Sequence, residues 1–250
     1  MSLHVDLNCD LGEGGACDEA LLDGITSANI ACGFHAGDPG VMRRTVESAW
    51  KKGVGLGAHP GLRDLEGFGR RAVPLDPQDA FDLTLYQIGA LQAFAAFHGA
   101  RLLHVKPHGA LYNMAARDAA LADALATAVR AADPNLVFFG LAGSEMIRSA
   151  RRLGLRAAEE AFADRAYQPD GSLVPRGQPG AVIEAPEEVA RRAVRLVKEG
   201  KIPAIDGTEL AIRADTICVH GDTPGAPDLV RALRSALGRE GVALRRFGSP

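Results

Sequence analysis

Two histidines and a lysine fall within five positions in HVKPHGALYN, residues 104–113, where an apolar run meets a proline and a glycine. A lysine in such a place can hold an anionic oxygen; if burial lowers its pKa, it can act as a base or nucleophile. Other short runs end in the same way. His35 precedes AGDPG, His59 precedes PGLRD, and His220 precedes GDTPG. DLNCDLGEG concentrates Asp6, Asn8, Asp10 and Glu13, and paired carboxylates can do acid/base work or bind a metal. GFGRR brings Arg70 and Arg71 to a glycine-rich loop, a candidate anion site. ADRAY adds Asp164 and Arg165, and Asp222 stands two positions after His220.

Each candidate has a structural alternative. Lys106 can be half of a buried ion pair with Asp6 or Asp10. Glu13 can be a solvated loop residue, and two adjacent arginines can simply be hydrated. Asp222 can cap the next helix. His4 lies at the start of its run and reads as structural, His98 suits a helix C-terminus, and His104 lies deeper than Lys106, as a core hydrogen-bonding residue. Both kinds of reading stay open at the level of single residues.

The elements that must position these groups are legible. Seven short apolar runs, LHVDLN, ANIACGF, GVGLGAH, LLHVK, LVFFGLA, AAEEAFA and TICVHG, alternate with helix-like segments, which predicts a parallel α/β protein. Asp38–Pro39, Asp76–Pro77 and Pro186 open helices that end at Gly53, Gly99 and Gly200. Several of the strands alternate in polarity. Asp6, Asn8 and Asp10 oppose Val5, Leu7 and Cys9; His104 and Lys106 oppose Leu103 and Val105; Thr216, Cys218 and His220 oppose Ile217 and Val219. Side chains alternate faces along a strand. An open sheet with helices on both faces has no use for a polar face, whereas a closed barrel has an interior and a mouth. The expectation is therefore a distorted TIM-like barrel of about seven mainly parallel strands in one domain, residues 1–250. Its site lies at the C-terminal strand ends, where His35, His59, Lys106, His108 and His220 fall. The polar segment 164–186, rich in Gly and Pro, reads as a functional or disordered loop.

Net charge is −3, with 47% hydrophobic and 24% charged residues. No long basic run recommends nucleic acid or an anionic membrane surface, and no stretch approaches a membrane span. The first ten residues carry no signal-peptide pattern, and the four cysteines form no C-x-x-C pair, so reduced thiols in the cytoplasm are expected. No P-loop, no G-x-G-x-x-G after a strand, no G-x-S-x-G elbow and no H-E-x-x-H is present; Ser144 in GLAGSEM reads as a helix cap. Strand-end His, Asp and Asn can hold a divalent metal, but no spacing specifies one.

Taken in order, DLNCDLGEG, ANIACGFHAGDP, GAHPGLRDLEGFGRR, HVKPHGALYN, EAFADRAYQPDGSLVPRG and CVHGDTPGA resemble the LamB/YcsF family, the A subunits of 5-oxoprolinase. The resemblance runs from about residue 5 to past residue 225. It implies a barrel of the seven-stranded glycoside hydrolase/deacetylase type. It also implies ATP-dependent ring opening of 5-oxo-L-proline to L-glutamate, with ATP as co-substrate and with subunits B and C as partners. One departure stands out: the family pattern has Phe-Gly after the glutamate, and here Gly14, Gly15 and Ala16 follow Glu13. On this reading Lys106, His108, His59, Asp10 and His35 are the catalytic candidates. Asp6, Asn8, Glu13, Arg70, Asp164, Arg165 and His220 are the substrate-binding ones. The alternatives are a metal-dependent deacetylase or glycosidase on a similar barrel, and a non-catalytic lactam-binding subunit.

Overall fold

A computed structural model describes residues 3–221 and 225–248. Asp222 lies outside these residues. In chain order the elements are β1 (His4–Leu11), α1 (Asp18–Leu22), β2 (Ser27–Ala31), α2 (Pro39–Lys51), β3 (Gly55–His59), α3 (Pro77–Phe97), β4 (His104–Val105), α4 (Gly109–Ala115), α5 (Ala119–Ala132) and β5 (Val137–Leu141). There follow α6 (Glu145–Arg152), β6 (Arg156–Phe162), α7 (Pro186–Glu199), β7 (Lys201–Pro203), β8 (Glu209–Ala211), β9 (Thr216–Val219), α8 (Ala226–Arg239) and β10 (Ala243–Leu244).

Strands β1 to β6 and β9 run parallel, each bonded to the next, and β9 returns to pair with β1 in register Asp6 to Thr216. The sheet is thus closed into a seven-stranded barrel. The expected strands are its seven staves. Two features lie outside that pattern: an antiparallel hairpin of β7 and β8, and β10, which extends the barrel beside His4 and Val5.

The alternation in β1 has the expected consequence. Val5, Leu7, Cys9 and Leu11 enter the apolar cluster formed with the helices. Each large aliphatic side chain buried there contributes roughly 1.5–3 kcal/mol. Asp6, Asn8 and Asp10 face inward and are hydrogen-bonded to groups on other strands, which is what a buried polar face requires. Helix starts follow the sequence: the Asp38 carboxylate accepts from Val41 N and the Asp76 carboxylate from Gln78 N. Ser144 does take the N-cap position of α6, but its hydroxyl makes no cap bond and is buried without a partner.

Strand β4 is only two residues long because Pro107 lacks an N–H. The ladder nevertheless continues in fragments: Lys106 N donates to Ala58 O at 2.9 Å and His108 N to Pro60 O at 2.8 Å. The chain then turns directly into α4. The segment after β6 is ordered. It is pinned by bridges from Arg165 to Val182 and from Tyr167 to Leu173, and it folds over the barrel mouth. No helix among the described residues is long and apolar enough to cross a membrane.

Candidate active site

The floor of the site is a buried polar network. Lys106 Nζ donates to Asp10 Oδ1 and to Cys218 Sγ, each at 2.9 Å, and stands 3.0 Å from Glu160 Oε1. Glu160 also accepts from Asn8 Nδ2 at 2.9 Å and from the Tyr112 hydroxyl at 2.8 Å. Asn29 Nδ2 donates to both Asn8 Oδ1 and Asp10 Oδ1, and the Asn29 amide oxygen faces His104 Nε2 at 2.8 Å. Five strands contribute to this network, so its geometry depends on closure of the barrel.

Its charges follow from that geometry. Burial acts to lower the pKa of Lys106, but Asp10, Cys218 and Glu160 outweigh it and hold the ammonium well above its usual range. Burial acts to raise the Asp10 carboxyl, and His59 with Lys106 overcomes it, so Asp10 stays ionised well below the usual carboxylate range. Lys106 is therefore a fixed cation. The expectation of a lowered pKa, and with it a base or nucleophile, gives way to an electrostatic role. The ion pair expected as the alternative is present with Asp10 and not with Asp6.

Above the floor sits an imidazole cluster. His59 Nδ1 donates to Lys106 O at 2.7 Å, and His108 Nε2 donates to Phe68 O at 2.8 Å. The remaining nitrogens of the two rings, His59 Nε2 and His108 Nδ1, stand 3.0 Å apart. The His35 ring stacks on His108 at 3.8 Å, with its Nε2 3.0 Å from Glu13 Oε1. Glu13 is thus folded inward rather than solvated, and the Gly14–Gly15–Ala16 departure leaves that reach intact. Burial lowers the pKa of His35 to about 4 and lowers that of His108, so both rings are neutral at pH 7. For His59 burial is overcome by Asp10 and Glu13, and its pKa is raised.

The glycine-rich GFGRR loop buttresses this cluster. Phe68 takes a left-handed φ of 53°, a conformation costing roughly 1–3 kcal/mol in a non-glycine residue, and it aims its carbonyl at His108. Gly69 follows at φ 61°, where a Cβ would come within 2.7 Å of His35 Cβ. Of the two arginines, Arg70 lines the cavity, whereas Arg71 pairs with Asp64 at the surface.

A cavity of about 530 Å³ opens from Asp10, His59, Lys106 and His108 towards the loop after β6. Arg70, Arg117, Arg165, Arg176 and His220 also line it. Five fixed cations against the Asp10 carboxylate suit an anionic ligand. His220 Nδ1 stands 2.9 Å from Asp164 Oδ2, and its ring stacks on Phe162. Burial acts to raise the Asp164 carboxyl, but His220 more than reverses this.

Not every candidate reaches the cavity. Asp6 lies at the barrel floor and accepts from Thr26, Ser27 and Thr216, so the expected substrate contact becomes an interior hydrogen-bonding role. Asn8 is likewise occupied by Glu160, Thr216, Asn29 and Lys106. Arg165 lines the cavity, but its Nη2 donates to Val174 O at 2.6 Å and its Nε to Ala181 O at 3.2 Å, which clasps the loop. Glu160 and Tyr112 join the site although the sequence motifs do not single them out. Parity does carry the signal for Glu160, since Glu160, Phe162 and Asp164 share the inward set of β6 and its continuation.

Among the described residues, two groupings have the composition of a metal site: Glu13, His35, His59 and His108, and Asp10, Cys218 and His220.

Similar proteins agree with this architecture. A Bordetella pertussis protein named as the A subunit of 5-oxoprolinase is 55% identical over 250 residues, covering 98% of this chain and 99% of that protein. The crystal structure of a lactam utilization protein from Thermus thermophilus is 50% identical, with a TM-score of 0.91 over 98% of this chain and 100% of that one. A deacetylase called T48, solved with substrate, aligns with a TM-score of 0.51 at 15% identity over 98% of this chain and 88% of that one, a likeness of fold alone. The profile of the LamB/YcsF family matches residues 5–249, and the chain belongs to that family.

Proposed function

We propose that this chain is the lactam-opening subunit of a 5-oxoprolinase, converting 5-oxo-L-proline to L-glutamate with consumption of ATP. It would do so as a single barrel domain of the cytoplasm, in a complex with subunits B and C. The observation that carries the reading is the identity of 51–55% with proteins named as the A subunit of 5-oxoprolinase, across nearly the whole chain. The site's chemistry supports it. A five-membered lactam is a stable amide, and its hydrolysis needs an activated carbonyl. Phosphorylation of the amide oxygen by ATP supplies one and creates an anion. The substrate carboxylate is a second anion, and the cavity presents Lys106 with four arginines.

In this mechanism the Lys106 ammonium stabilises the negative charge of the phosphorylated oxygen at the lactam carbon. Asp10 and Glu160 hold the ammonium in place. A histidine of the cavity takes a proton from the attacking water. Cleavage of the C–N bond then passes a proton to the departing amine and leaves a carboxyl phosphate, which a second water hydrolyses to L-glutamate and inorganic phosphate. No stretch lining the cavity matches a nucleotide-binding loop, so ATP is assigned to the partner subunits. The free thiols Cys9, Cys17, Cys32 and Cys218 suit a reducing compartment.

The test is an assay of glutamate formation and ADP release from 5-oxo-L-proline, with the purified chain alone and with subunits B and C added. Turnover is expected only in the reconstituted mixture. Absence of turnover there, with all three proteins folded, would refute the assignment. Full ATP-coupled turnover by the chain alone would refute the division of labour.

A further inference from the structure

Lactam opening draws on single histidines and leaves one arrangement unexplained: three imidazoles and a carboxylate converge on one point beside the cavity. We propose that Glu13, His35, His59 and His108 bind one divalent transition-metal ion, of the class that prefers imidazole nitrogen with a carboxylate oxygen.

The protons of the cluster can be counted. His59 Nδ1 faces the Lys106 carbonyl at 2.7 Å, and His108 Nε2 faces the Phe68 carbonyl at 2.8 Å. A carbonyl oxygen only accepts, so each of these nitrogens carries the hydrogen. A neutral imidazole has only one. With both rings neutral, the form that binds a metal, His59 Nε2 and His108 Nδ1 present bare lone pairs to each other at 3.0 Å. Two lone pairs at that distance repel, and a positive centre between them, a metal ion or an added proton, removes the repulsion.

The distances suit such a centre. Glu13 Oε1 lies 3.0 Å from His35 Nε2, 3.2 Å from His108 Nδ1 and 3.6 Å from His59 Nε2. Metal–nitrogen bonds of about 2.0–2.1 Å place tetrahedral donors about 3.3 Å apart. These three separations and the 3.0 Å between His59 Nε2 and His108 Nδ1 bracket that value, and all four donor atoms lie within 4.8 Å of one another; a rotation of the His35 ring out of its stack on His108 would turn its lone pair to the same ion. The rings are also supported from behind. Imidazole ligands characteristically donate their rear N–H to a carbonyl or carboxylate, and His59 and His108 both do so here. One of those carbonyls is presented by the left-handed Phe68.

The other grouping, Asp10 with Cys218 and His220, is the poorer choice. Lys106 Nζ already stands 2.9 Å from both Asp10 Oδ1 and Cys218 Sγ, so a cation occupies that position. The competing account of the four-residue cluster is a proton shared between His59 and His108, with Glu13 as counter-ion.

The experiment measures metal content and does not depend on 5-oxo-L-proline being the substrate. The full chain is purified without chelator, stripped by dialysis against EDTA, and titrated with Zn²⁺, Mn²⁺ and Co²⁺. Uptake is read by elemental analysis and calorimetry, and coordination by the visible spectrum of the Co²⁺ form. The expected result is about one ion per chain and a rise in thermal stability. Glu13→Gln and His35→Gln should each weaken binding by at least the roughly 10–100-fold that outer-shell partners contribute, while Cys218→Ser leaves it unchanged. Absence of uptake of all three ions by the folded wild-type chain overturns the proposal in favour of the shared proton, even where the variants misfold. Binding lost in Cys218→Ser and kept in His35→Gln overturns it in favour of the other grouping.

Discussion

The Lys106 ammonium stands 3.0 Å from the Glu160 carboxylate, and neither side chain is more than 3% exposed. Asp10 flanks the ammonium on its other side at 2.9 Å. Lys106→Met therefore strands two buried carboxylates, which costs roughly 3–5 kcal/mol of stability. It also removes a preorganised charge, with an expected loss of about 10²–10³ in turnover. In Lys106→Met/Glu160→Gln one stranded charge is gone. Most of the melting temperature should return while turnover stays low. Thermal unfolding of the chain and turnover of the reconstituted complex check both; recovered turnover in the double variant would assign Lys106 to the fold alone.

His104 supplies a pH signature. Burial, with the charges of Lys106 and His59, lowers its pKa to about 3. In the unfolded chain the imidazole takes up a proton near pH 6.5. Between these values the unfolded state holds the extra proton, so stability falls as pH falls, by about 1.4 kcal/mol per pH unit for one group. His104→Gln keeps an N–H for Asn29 and does not titrate. Its stability should decline less steeply than that of wild type by this amount. Urea unfolding at pH 7, 6 and 5 measures the difference in slope, and parallel curves would contradict the assignment.

Gly57 leaves no room for a side chain. A Cβ there would lie 2.0 Å from His104 Nε2. Gly57→Ala must push the imidazole off Asn29, at a cost of about 1–3 kcal/mol or more. The expected outcome is a lower melting temperature that His104→Ala in the same chain partly relieves, and equal melting temperatures with and without the second change would show that the ring moves freely.

Arg165 holds the loop over the mouth through the carbonyls of Val174 and Ala181. Arg165→Ala removes the bond to the Val174 carbonyl, at about 1–3 kcal/mol, while Ala181 O keeps the Ala166 N–H. Limited proteolysis should cut within residues 166–182 faster than in wild type, with the barrel strands still protected. Cleavage at the wild-type rate would mean that the bridges at Tyr167 suffice to hold the loop.

The sequence by itself determined the seven staves, the helix starts at Asp38 and Asp76, and the inward face of the histidines. These follow from local rules: a period of two along a strand, a carboxylate capping free N–H groups, and a proline that cannot continue a ladder. The partners were decided only by closure of the barrel. Asp6 and Thr216 become neighbours because β9 returns to β1, and Lys106 meets Glu160 because β4 and β6 face a common interior. Parity says which face a side chain takes and nothing about what lies opposite. Hence Asp6, with the right residue type and parity, sits below the cavity among hydroxyls, and Glu13, in a loop with no periodicity, reaches three histidines. The charge of Lys106 was settled at the same level. Burial alone lowers a lysine pKa, whereas two carboxylates within about 3 Å raise it, because Coulomb energy depends on distances that exist only in the folded chain.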